Sequence, residues 1–417
     1  MKQLRASQVY IIMMFVTALA NSTMFTTYAI YYVTELGLTP FQLVLIGTVL
    51  ELAVLVFEGI TGVVADTYSR RMSVIIGMLV MGIGFVLEGS VIWIVEWSTL
   101  LPVFIWMLIA QLFFGIGATF VSGADTAWIV DEIGEDKVGT LFMRSQRLAL
   151  FAALIGIGLS VGFSTLAPNL PYIIGGMFYV GLGIFLLVYM KETNFAPQQK
   201  EAHVSPLQAM ADTWMSGIKV VRRQPLLIML IVVTIFIGAA SEGYDRLRET
   251  FLINEIGFPQ HIPFSMAVWF GILSAVSTIL GLVAVRVMEQ KLDMSDKRAV
   301  TAAMLLLFAA RIGALISIAL STSFVWAMIG LLLISVIGIL SHPVYNTWLN
   351  MNMESKTRAT VLSMVSQADA FGQTAGGPVI GWVGSRFSLR ASFILAGVFI
   401  MPVLVVLRRF LRIRCKE

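Results

Sequence analysis

Long apolar segments recur along almost the whole chain, and this feature sharply limits the folds open to it. Twelve of them, each about 20 residues or longer, are separated by short polar stretches. An α-helix needs about 20 apolar residues to cross the hydrocarbon core of a bilayer, and the roughly 10-residue alternation of an outer-membrane β-barrel is not seen. The chain is 58% hydrophobic and 12% charged, with a mean hydropathy of +0.88, whereas soluble domains are about 25% charged. The sequence therefore predicts an all-α membrane protein with twelve transmembrane helices.

The distribution of basic residues predicts the orientation of these helices. We place the helices at 9–33, 41–65, 73–95, 101–123, 140–166, 171–190, 226–248, 263–287, 299–320, 323–346, 359–384 and 390–411. If the N-terminus is cytoplasmic, the inner loops and tails hold 23 of the 28 Lys and Arg residues. Cytoplasmic loops of membrane proteins are enriched in these residues. We therefore expect both termini in the cytoplasm of a cell whose plasma or inner membrane holds the protein.

A polar stretch at 191–224 divides the chain into an N-terminal half, 1–190, and a C-terminal half, 225–417, with six predicted helices each. Ser205-Pro206 is a favourable helix start. Apolar residues then follow at spacings of three and four, namely Leu207, Met210, Trp214, Ile218 and Val221. This pattern predicts an amphipathic helix on the inner membrane surface. A solvated linker is the alternative.

The two halves share a weak internal repeat. Leu141, Met143, Ser145 and Gln146 recur, each shifted by 221 positions, as Leu362, Met364, Ser366 and Gln367. Gly62 has a possible counterpart in Gly281, and the acidic residue that follows Gly62 by four positions becomes Val285. Matches at equivalent places in two six-helix halves indicate a parallel duplication. The prediction is two pseudo-symmetric bundles of six helices.

Residues 62–71 read Gly-Val-Val-Ala-Asp-Thr-Tyr-Ser-Arg-Arg between the second and third helices. This stretch resembles the signature loop of the major facilitator superfamily of transporters, Gly-x-x-x-Asp-Arg/Lys-x-Gly-Arg/Lys-Arg/Lys. Gly62, Asp66, Arg70 and Arg71 fit the pattern, whereas Thr67 and Ser69 depart from it. A glycine lets another helix approach closely, and Asp66 can pair with Arg70 or accept from a helix N-terminus. The resemblance implies a transporter that works by alternating access.

Four further charged residues lie at the predicted inner ends of the fourth and fifth helices: Asp125, Asp131, Arg144 and Arg147. They resemble the cytoplasmic charge ring of the same superfamily. We therefore assign them, together with Asp66, to an inner gate.

Three glutamates lie inside the predicted spans of the first half. Glu51 and Glu58 are seven residues apart, which is close to two helical turns, so they face one side of the second helix. Glu88 lies in the third helix. A charged side chain at the bilayer centre costs about 2.5–3.5 kcal/mol on insertion scales, so such residues face the bundle interior, form pairs or are protonated. We expect them to carry protons; a structural ion pair or hydrogen bond between helices is the alternative.

The end of the seventh helix carries a charge cluster that includes Glu242, Asp245, Arg246 and Glu249. At spacings of three and four these residues share one helix face. We interpret the cluster as an outer gate, with Glu242 and Asp245 as further proton-coupling candidates. A solvated helix end whose charges compensate each other is the alternative.

Arg311 is the only base well inside a predicted span, and Asp369 is its expected partner. Either the two form a structural clamp, or a proton or substrate on Asp369 frees or captures Arg311. His342 precedes Pro343, which is expected to kink the tenth helix. A histidine there can serve a proton relay, although a hydrogen-bonded structural histidine is the more ordinary case.

The composition of the spans indicates what their cavity could bind. The chain has 23 Met and is 11% aromatic, and flexible Met with flat rings suits bulky amphipathic ligands. Gln111 stands where drug exporters of the superfamily usually carry an arginine, before Gly115 and Gly117, which do match their pattern. The cavity candidates are Asn21, Tyr28, Gln111, Phe114, Gln146, His342, Asn346 and Gln367.

We interpret the chain as a secondary transporter that exports a hydrophobic or amphipathic small molecule in exchange for protons. It resembles the bacterial drug:proton antiporters, including the tetracycline and macrolide efflux proteins. No nucleotide-binding loop, metal-ligand cluster or catalytic constellation is present in the sequence, so we expect no cofactor, no enzymatic activity and no nucleic-acid partner. The expected partners are the solute, protons and lipid, and the expected working unit is a monomer.

Two groups of alternatives stay open. The first is a proton symporter, a uniporter or an exporter of another metabolite. The second is a receptor or scaffold that no longer transports, and a membrane enzyme is a remoter case.

Overall fold

The structure is a computed structural model that describes residues 4–98, 100–195, 225–353 and 358–413. The predicted surface helix at 205–221 and the lone Cys415 lie outside these residues. Within the described residues the secondary structure is helical, without β-strands. This confirms the predicted all-α membrane class.

The first half contains seven α-helices. They are α1 (Ala6–Phe25), α2 (Pro40–Thr67), α3 (Arg70–Trp97), α4 (Val103–Val121), α5 (Ala124–Ile133), α6 (Glu135–Leu166) and α7 (Leu170–Tyr189). The fourth predicted span ended at 123 and therefore missed α5, which carries Asp125 and Asp131. Gly123, with φ of +73°, separates α5 from α4, and the two helices together run from Val103 to Ile133.

The second half contains six α-helices. They are α8 (Pro225–Phe251), α9 (Met266–Lys291), α10 (Lys297–Ala319), α11 (Phe324–Met351), α12 (Arg358–Arg386) and α13 (Leu389–Ile413). Each covers all or nearly all of one predicted span of this half, with ends that differ by a few residues. Pro343 lies inside α11, Pro378 inside α12 and Pro402 inside α13.

Eleven helical stretches in the described residues are long and apolar enough to cross a membrane. The twelfth predicted span corresponds to α12, which has 29 residues but is less apolar than the others. The polar residues along its middle include Ser366, Gln367, Asp369, Gln373 and Thr374. Polar side chains in a span are found where the helix faces protein or a cavity rather than lipid, so α12 is a helix from which a site can be built.

By their contacts the residues form two compact units. The first comprises Met1–Leu38, Val49–Met210 and Phe264–Gly271, and the second comprises Thr39–Thr48, Ala211–Pro263 and Ile272–Glu417. The domain limits 1–190, 191–224 and 225–417 stay a prediction.

The helices pair in the same pattern within each unit. In the first unit, α1 packs on α6 and α7, and α3 packs on α4 and α7. In the second unit, α8 packs on α12 and α13, and α10 packs on α11 and α13. Each pair of the first unit thus has its equivalent in the second, which is the tertiary arrangement that the predicted duplication requires.

A further repeated feature lies at the ends of α1 and α8. Both continue into a π-helical segment, in which Leu36 N donates to Tyr31 O at 3.0 Å and Gly257 N donates to Leu252 O at 2.9 Å. Each segment ends beside a glycine with positive φ, Gly37 at +63° and Gly257 at +73°. A left-handed backbone is readily adopted only by glycine. The sequence analysis missed this third match of the two halves.

Candidate functional site

The signature loop forms an ion-pair network in the first unit. Arg70 bonds Asp66 at 3.1 Å and also bonds Asp131 of α5. The Arg70 side chain is only 17% exposed, so its charge is held mainly by these two carboxylates. The structure therefore brings together two residues assigned to the inner gate, Asp66 and Asp131, through Arg70 of the signature loop.

Arg71 acts at a different helix end. Its Nε donates to Met190 O at 2.5 Å and its Nη2 donates to Leu187 O at 2.8 Å, so the guanidinium satisfies carbonyl groups at the C-terminus of α7.

Glu192, which the sequence analysis did not identify, bonds the N-terminus of α3. One carboxylate oxygen accepts from Arg70 N at 2.8 Å and from Arg71 N at 3.2 Å, and the other accepts from the Ser69 hydroxyl at 2.6 Å. Acidic groups stabilise helix N-termini. Glu192 is more than 100 positions from the helix start that it bonds, so no local sequence pattern identifies the contact.

The other members predicted for this region lie apart from the network. Asp125 accepts from Thr126 N at 2.6 Å, and Arg144 and Arg147 are exposed, with no ion pair to any described residue. A Cβ built on Gly62 would meet no described atom within 4 Å. The close helix approach expected at Gly62 is therefore not seen, because that face of α2 borders open space. Its counterpart Gly281 does make a close contact, with Ile339.

Glu88 lies at the centre of a buried hydrogen-bond network in the first unit. Its carboxylate accepts from the Tyr32 hydroxyl and, at 2.9 Å, from Gln111 Nε2. Its backbone oxygen accepts from the Tyr31 hydroxyl at 2.9 Å, and the Tyr172 hydroxyl donates to that of Tyr32 at 2.8 Å. The exposed fraction of Glu88 is 0%. The contacts of Glu88 fit the alternative raised from the sequence, in which the residue forms structural hydrogen bonds between helices.

Two of the predicted cavity residues instead belong to the core of the first unit. Gln111 is 1% exposed and bonds Glu88, and Tyr28 is 7% exposed and packs edge-on against Tyr32 with ring centroids 5.5 Å apart. The cavity interpretation is therefore wrong for both residues in this structure. A polar side chain on an apolar helix can face a cavity or bond another buried side chain, and the Gln111 amide does the latter inside the bundle.

Three other predicted cavity residues of the first unit are less enclosed. Asn21 is half-buried and its Oδ1 accepts from the Tyr179 hydroxyl at 2.7 Å. Phe114 is half-buried and packs on Phe85, with ring centroids 4.7 Å apart. Gln146 is exposed.

Glu51 and Glu58 are both half-buried on α2. The Ser122 hydroxyl donates to Glu58 Oε1 at 3.4 Å. Glu58 therefore lies in a less enclosed environment than Glu88, whose exposed fraction is 0%.

The charge cluster of α8 contains ion pairs between its acids and its bases. Glu242, which is buried, pairs with Arg246 at 2.9 Å. Arg248 pairs with Glu249 at 2.7 Å and lies 3.9 Å from Asp245, whose side chain is exposed. The role of this cluster as an outer gate stays a prediction.

A cavity of about 460 Å³ in the second unit contains most of the predicted residues of that half. It is bordered by Arg311, Asp369, His342 and Asn346, and we call it the Asp369 cavity. His342 and Asn346 are exposed and one turn apart, with Asn346 Nδ2 3.3 Å from His342 Nδ1. Gln367 is half-buried and one residue from Ser366, which borders the cavity.

Arg311 and Asp369 border this cavity without forming the predicted ion pair. No described carboxylate lies within salt-bridge distance of Arg311, and its Nε has no hydrogen-bond partner among the described residues. Asp369 Oδ2 accepts instead from Gln373 Nε2 at 3.0 Å, one turn away on α12. The two opposite charges thus both remain available to a molecule in the cavity.

Thr234 and Tyr345 are among the residues of the cavity wall that the sequence analysis missed. The hydroxyl groups of Thr234 and Tyr345 are 2.5 Å apart and link α8 to α11. A threonine in an apolar helix carries no distinctive signal. Tyr345, two residues after Pro343, could have been found from its place next to His342 and Asn346.

Comparisons with known proteins agree with this architecture. The sequence profile described as Major Facilitator Superfamily matches residues 10–368. The uncharacterized MFS-type transporter YxaM of Bacillus subtilis (strain 168) is 21% identical over 373 residues, which cover 88% of this chain and 86% of YxaM. The nucleoside transporter NupG superposes with a TM-score of 0.75 at 15% identity, over 99% of this chain and 100% of NupG.

A POT family transporter solved in complex with a thioalcohol conjugated peptide gives a TM-score of 0.73 at 14% identity, over 98% of this chain and 96% of that one. At identities of 15% and 14%, these two structures support the fold alone. The similarity to drug:proton antiporters stays a prediction. Because the family profile covers most of the sequence, and because helices of membrane-spanning length recur along it, this chain belongs to the major facilitator superfamily and is a multi-pass membrane transporter.

Proposed function

We propose that the chain is a proton-coupled secondary transporter that exports an amphipathic small molecule by alternating access. The observation that carries the proposal is the placement of Arg311 and Asp369 on one cavity without a bond between them. Ionisable side chains inside a membrane helix bundle cost free energy. Their retention there therefore indicates a functional site.

The wall of the Asp369 cavity suits an amphipathic solute. Apolar surface is supplied by Ile237, Phe308 and Leu349, and polar groups are supplied by Tyr345 and Asn346. Ligand cavities of about 300–1,000 Å³ typically combine apolar walls with a few polar groups that fix orientation, and this cavity of about 460 Å³ lies within that range.

Asp369 is the strongest of the six proton-coupling candidates by its position. A proton drives transport only if it binds one conformation more tightly than the other. Protonation of Asp369 removes a negative charge from the cavity that Arg311 also borders, so it changes the electrostatic balance of the site where the solute would lie. Glu88, by contrast, is enclosed by hydroxyl and amide donors, and we assign it a structural role.

The test is transport by purified protein in liposomes under an imposed pH gradient, with a panel of bulky amphiphiles. The wild type is expected to move at least one of them against its concentration gradient in exchange for protons. Asp369→Asn is expected to abolish the gradient-dependent component. Glu88→Gln makes the same carboxyl-to-amide change at the enclosed site and serves as the matched control, with activity retained.

The outcomes separate the alternatives clearly. Loss of coupling in Glu88→Gln together with full coupling in Asp369→Asn would transfer the proton-carrying role to Glu88. If both keep full coupling, Glu51, Glu58, Glu242 and Asp245 are the remaining candidates and are changed in turn. An absence of any response to a pH gradient of either sign, across the panel, would contradict proton coupling itself.

A second candidate is proton symport of a more polar solute. It is favoured by the hydroxyl and amide groups of Thr234, Tyr345 and Asn346 on the same cavity wall. The direction of the imposed gradient distinguishes the two modes, because symport moves the solute with the protons and antiport moves it against them. We also propose a monomeric working unit in the plasma or inner membrane, with both termini in the cytoplasm.

A further inference from the structure

A second cavity in the second unit, separate from the proposed proton site, is rich in hydrogen-bond donors. It has a volume of about 430 Å³ and lies among α8, α9, α10 and α11; we call it the Tyr244 cavity. Arg311 borders both cavities, as do Ser241 and Gly338. Tyr244 and Ser277 border only this one.

Three donor groups on this cavity are buried and have no partner among the described residues. They are the Tyr244 hydroxyl, the Ser277 hydroxyl and the Arg311 Nε–H, and they come from three different helices. Tyr244 is only 2% exposed. Buried donors in folded proteins are nearly always satisfied by protein, water or a ligand, so these three groups are placed to donate to water or to a ligand that carries acceptor atoms.

The Arg311 guanidinium favours an anion as that acceptor. The two carboxylates of the wall, Asp245 and Glu249, share the Arg248 guanidinium, which bonds Glu249 at 2.7 Å and lies 3.9 Å from Asp245. Arg311, in contrast, forms no ion pair with a described residue. A guanidinium with two neutral hydroxyl donors matches a small monovalent anion, since hydrogen bonds to an ionised acceptor are the stronger kind.

We propose that the Tyr244 cavity binds a small monovalent anion, held by Arg311 and the hydroxyl groups of Tyr244 and Ser277. The anion is either a free ion or the carboxylate of a bound solute, because both present the same chemistry to these donors. The inference does not depend on proton coupling or on the direction of transport.

The test measures thermal unfolding of the purified protein while chloride or acetate replaces a bulky organic sulfonate, which carries no carboxylate, at constant ionic strength. A ligand that binds only the folded state raises the unfolding temperature, and the rise follows its concentration relative to the Kd. We expect a saturable rise for the wild type. A response to chloride indicates a free-ion site, and a response to acetate without one to chloride indicates a carboxylate site.

Tyr244→Phe and Ser277→Ala each remove one hydroxyl and are expected to weaken anion binding by about tenfold or more, as for a hydrogen bond to a charged group. Thr278→Val is the matched control, because Thr278 borders the same cavity but its hydroxyl already donates to Ser274 O at 2.8 Å. It is expected to keep the wild-type response.

Two results would overturn the proposal. The first is a wild type whose unfolding temperature responds to neither anion. The second is a response that survives unchanged in both Tyr244→Phe and Ser277→Ala, which would place the anion elsewhere. Because the experiment measures anion binding to purified protein, its result tests this proposal independently of the transport assay.

Discussion

Gly238 and Asp369 are in direct contact across the α8–α12 interface, and the contact depends on the absence of a side chain at residue 238. A Cβ built on Gly238 would lie 2.4 Å from the backbone oxygen of Asp369 and 2.8 Å from its Oδ1. Both distances are shorter than real Cβ contacts, and one of them is to backbone that cannot rotate away. The small residue therefore fixes where the carboxyl group enters the Asp369 cavity.

Gly238→Ala is expected to displace α12 at Asp369 and so to reduce both transport and thermal stability. In contrast, Gly313→Ala on α10 is expected to be neutral or stabilising by about 0.5–1 kcal/mol, because a Cβ there meets no described atom within 4 Å and alanine is the better helix former. Transport rates and unfolding temperatures of the two variants provide the comparison. Equal behaviour of the two would show that the close contact is unimportant.

The Glu88 network predicts a stability difference between two substitutions. Glu88→Ala removes the acceptor of Tyr32 and Gln111, so each orphaned donor is expected to cost about 1–3 kcal/mol. Glu88→Gln keeps an acceptor oxygen and is expected to unfold close to the wild type. Intrinsic tryptophan fluorescence of purified protein follows the unfolding. An alanine variant as stable as the glutamine variant would argue against the network.

Loss of Glu192 is expected to loosen the start of α3. Glu192→Ala leaves Arg70 N and Arg71 N without their acceptor, and a lost helix N-terminal partner costs about 0.5–2 kcal/mol. Glu289→Ala is the control, since Glu289 is exposed on α9 and forms no ion pair with a described residue. Thermal unfolding measures both, and a loss of the same size in both variants would contradict the assignment.

The proposed orientation is tested by cysteine accessibility in whole cells. In a Cys415→Ser background, a cysteine at Leu100, which is 85% exposed between α3 and α4, is expected to react with a membrane-impermeant thiol reagent. A cysteine at the exposed Ser295, between α9 and α10, is expected to react only after the cells are permeabilised. The reverse pattern would place both termini outside the cytoplasm.

The sequence by itself determined the class of the protein and the course of the chain. Helices span every predicted segment, because the requirement to satisfy backbone groups inside a bilayer leaves few alternatives for a long apolar run. The missed helix, α5, shows the limit of this rule. It carries Asp125 and Asp131, so an apolar pattern does not reveal it, and the break before it depends on the backbone of Gly123.

The candidate site was predictable in its residue types but not in its pairings. Arg311, Asp369, His342 and Asn346 were all identified as unusual residues in apolar helices, and they border one cavity. Composition could not show that Asp369 bonds Gln373 rather than Arg311.

The tertiary structure alone decided which polar groups are enclosed and which border a cavity. Glu88 and Asp369 look alike in the sequence, since each is an acid well inside a predicted membrane-spanning helix. One is surrounded by Tyr32 and Gln111, and the other faces a space of about 460 Å³. Such differences arise from the rotation and packing of helices against each other, and these depend on contacts such as that of Gly238, between residues far apart in the chain.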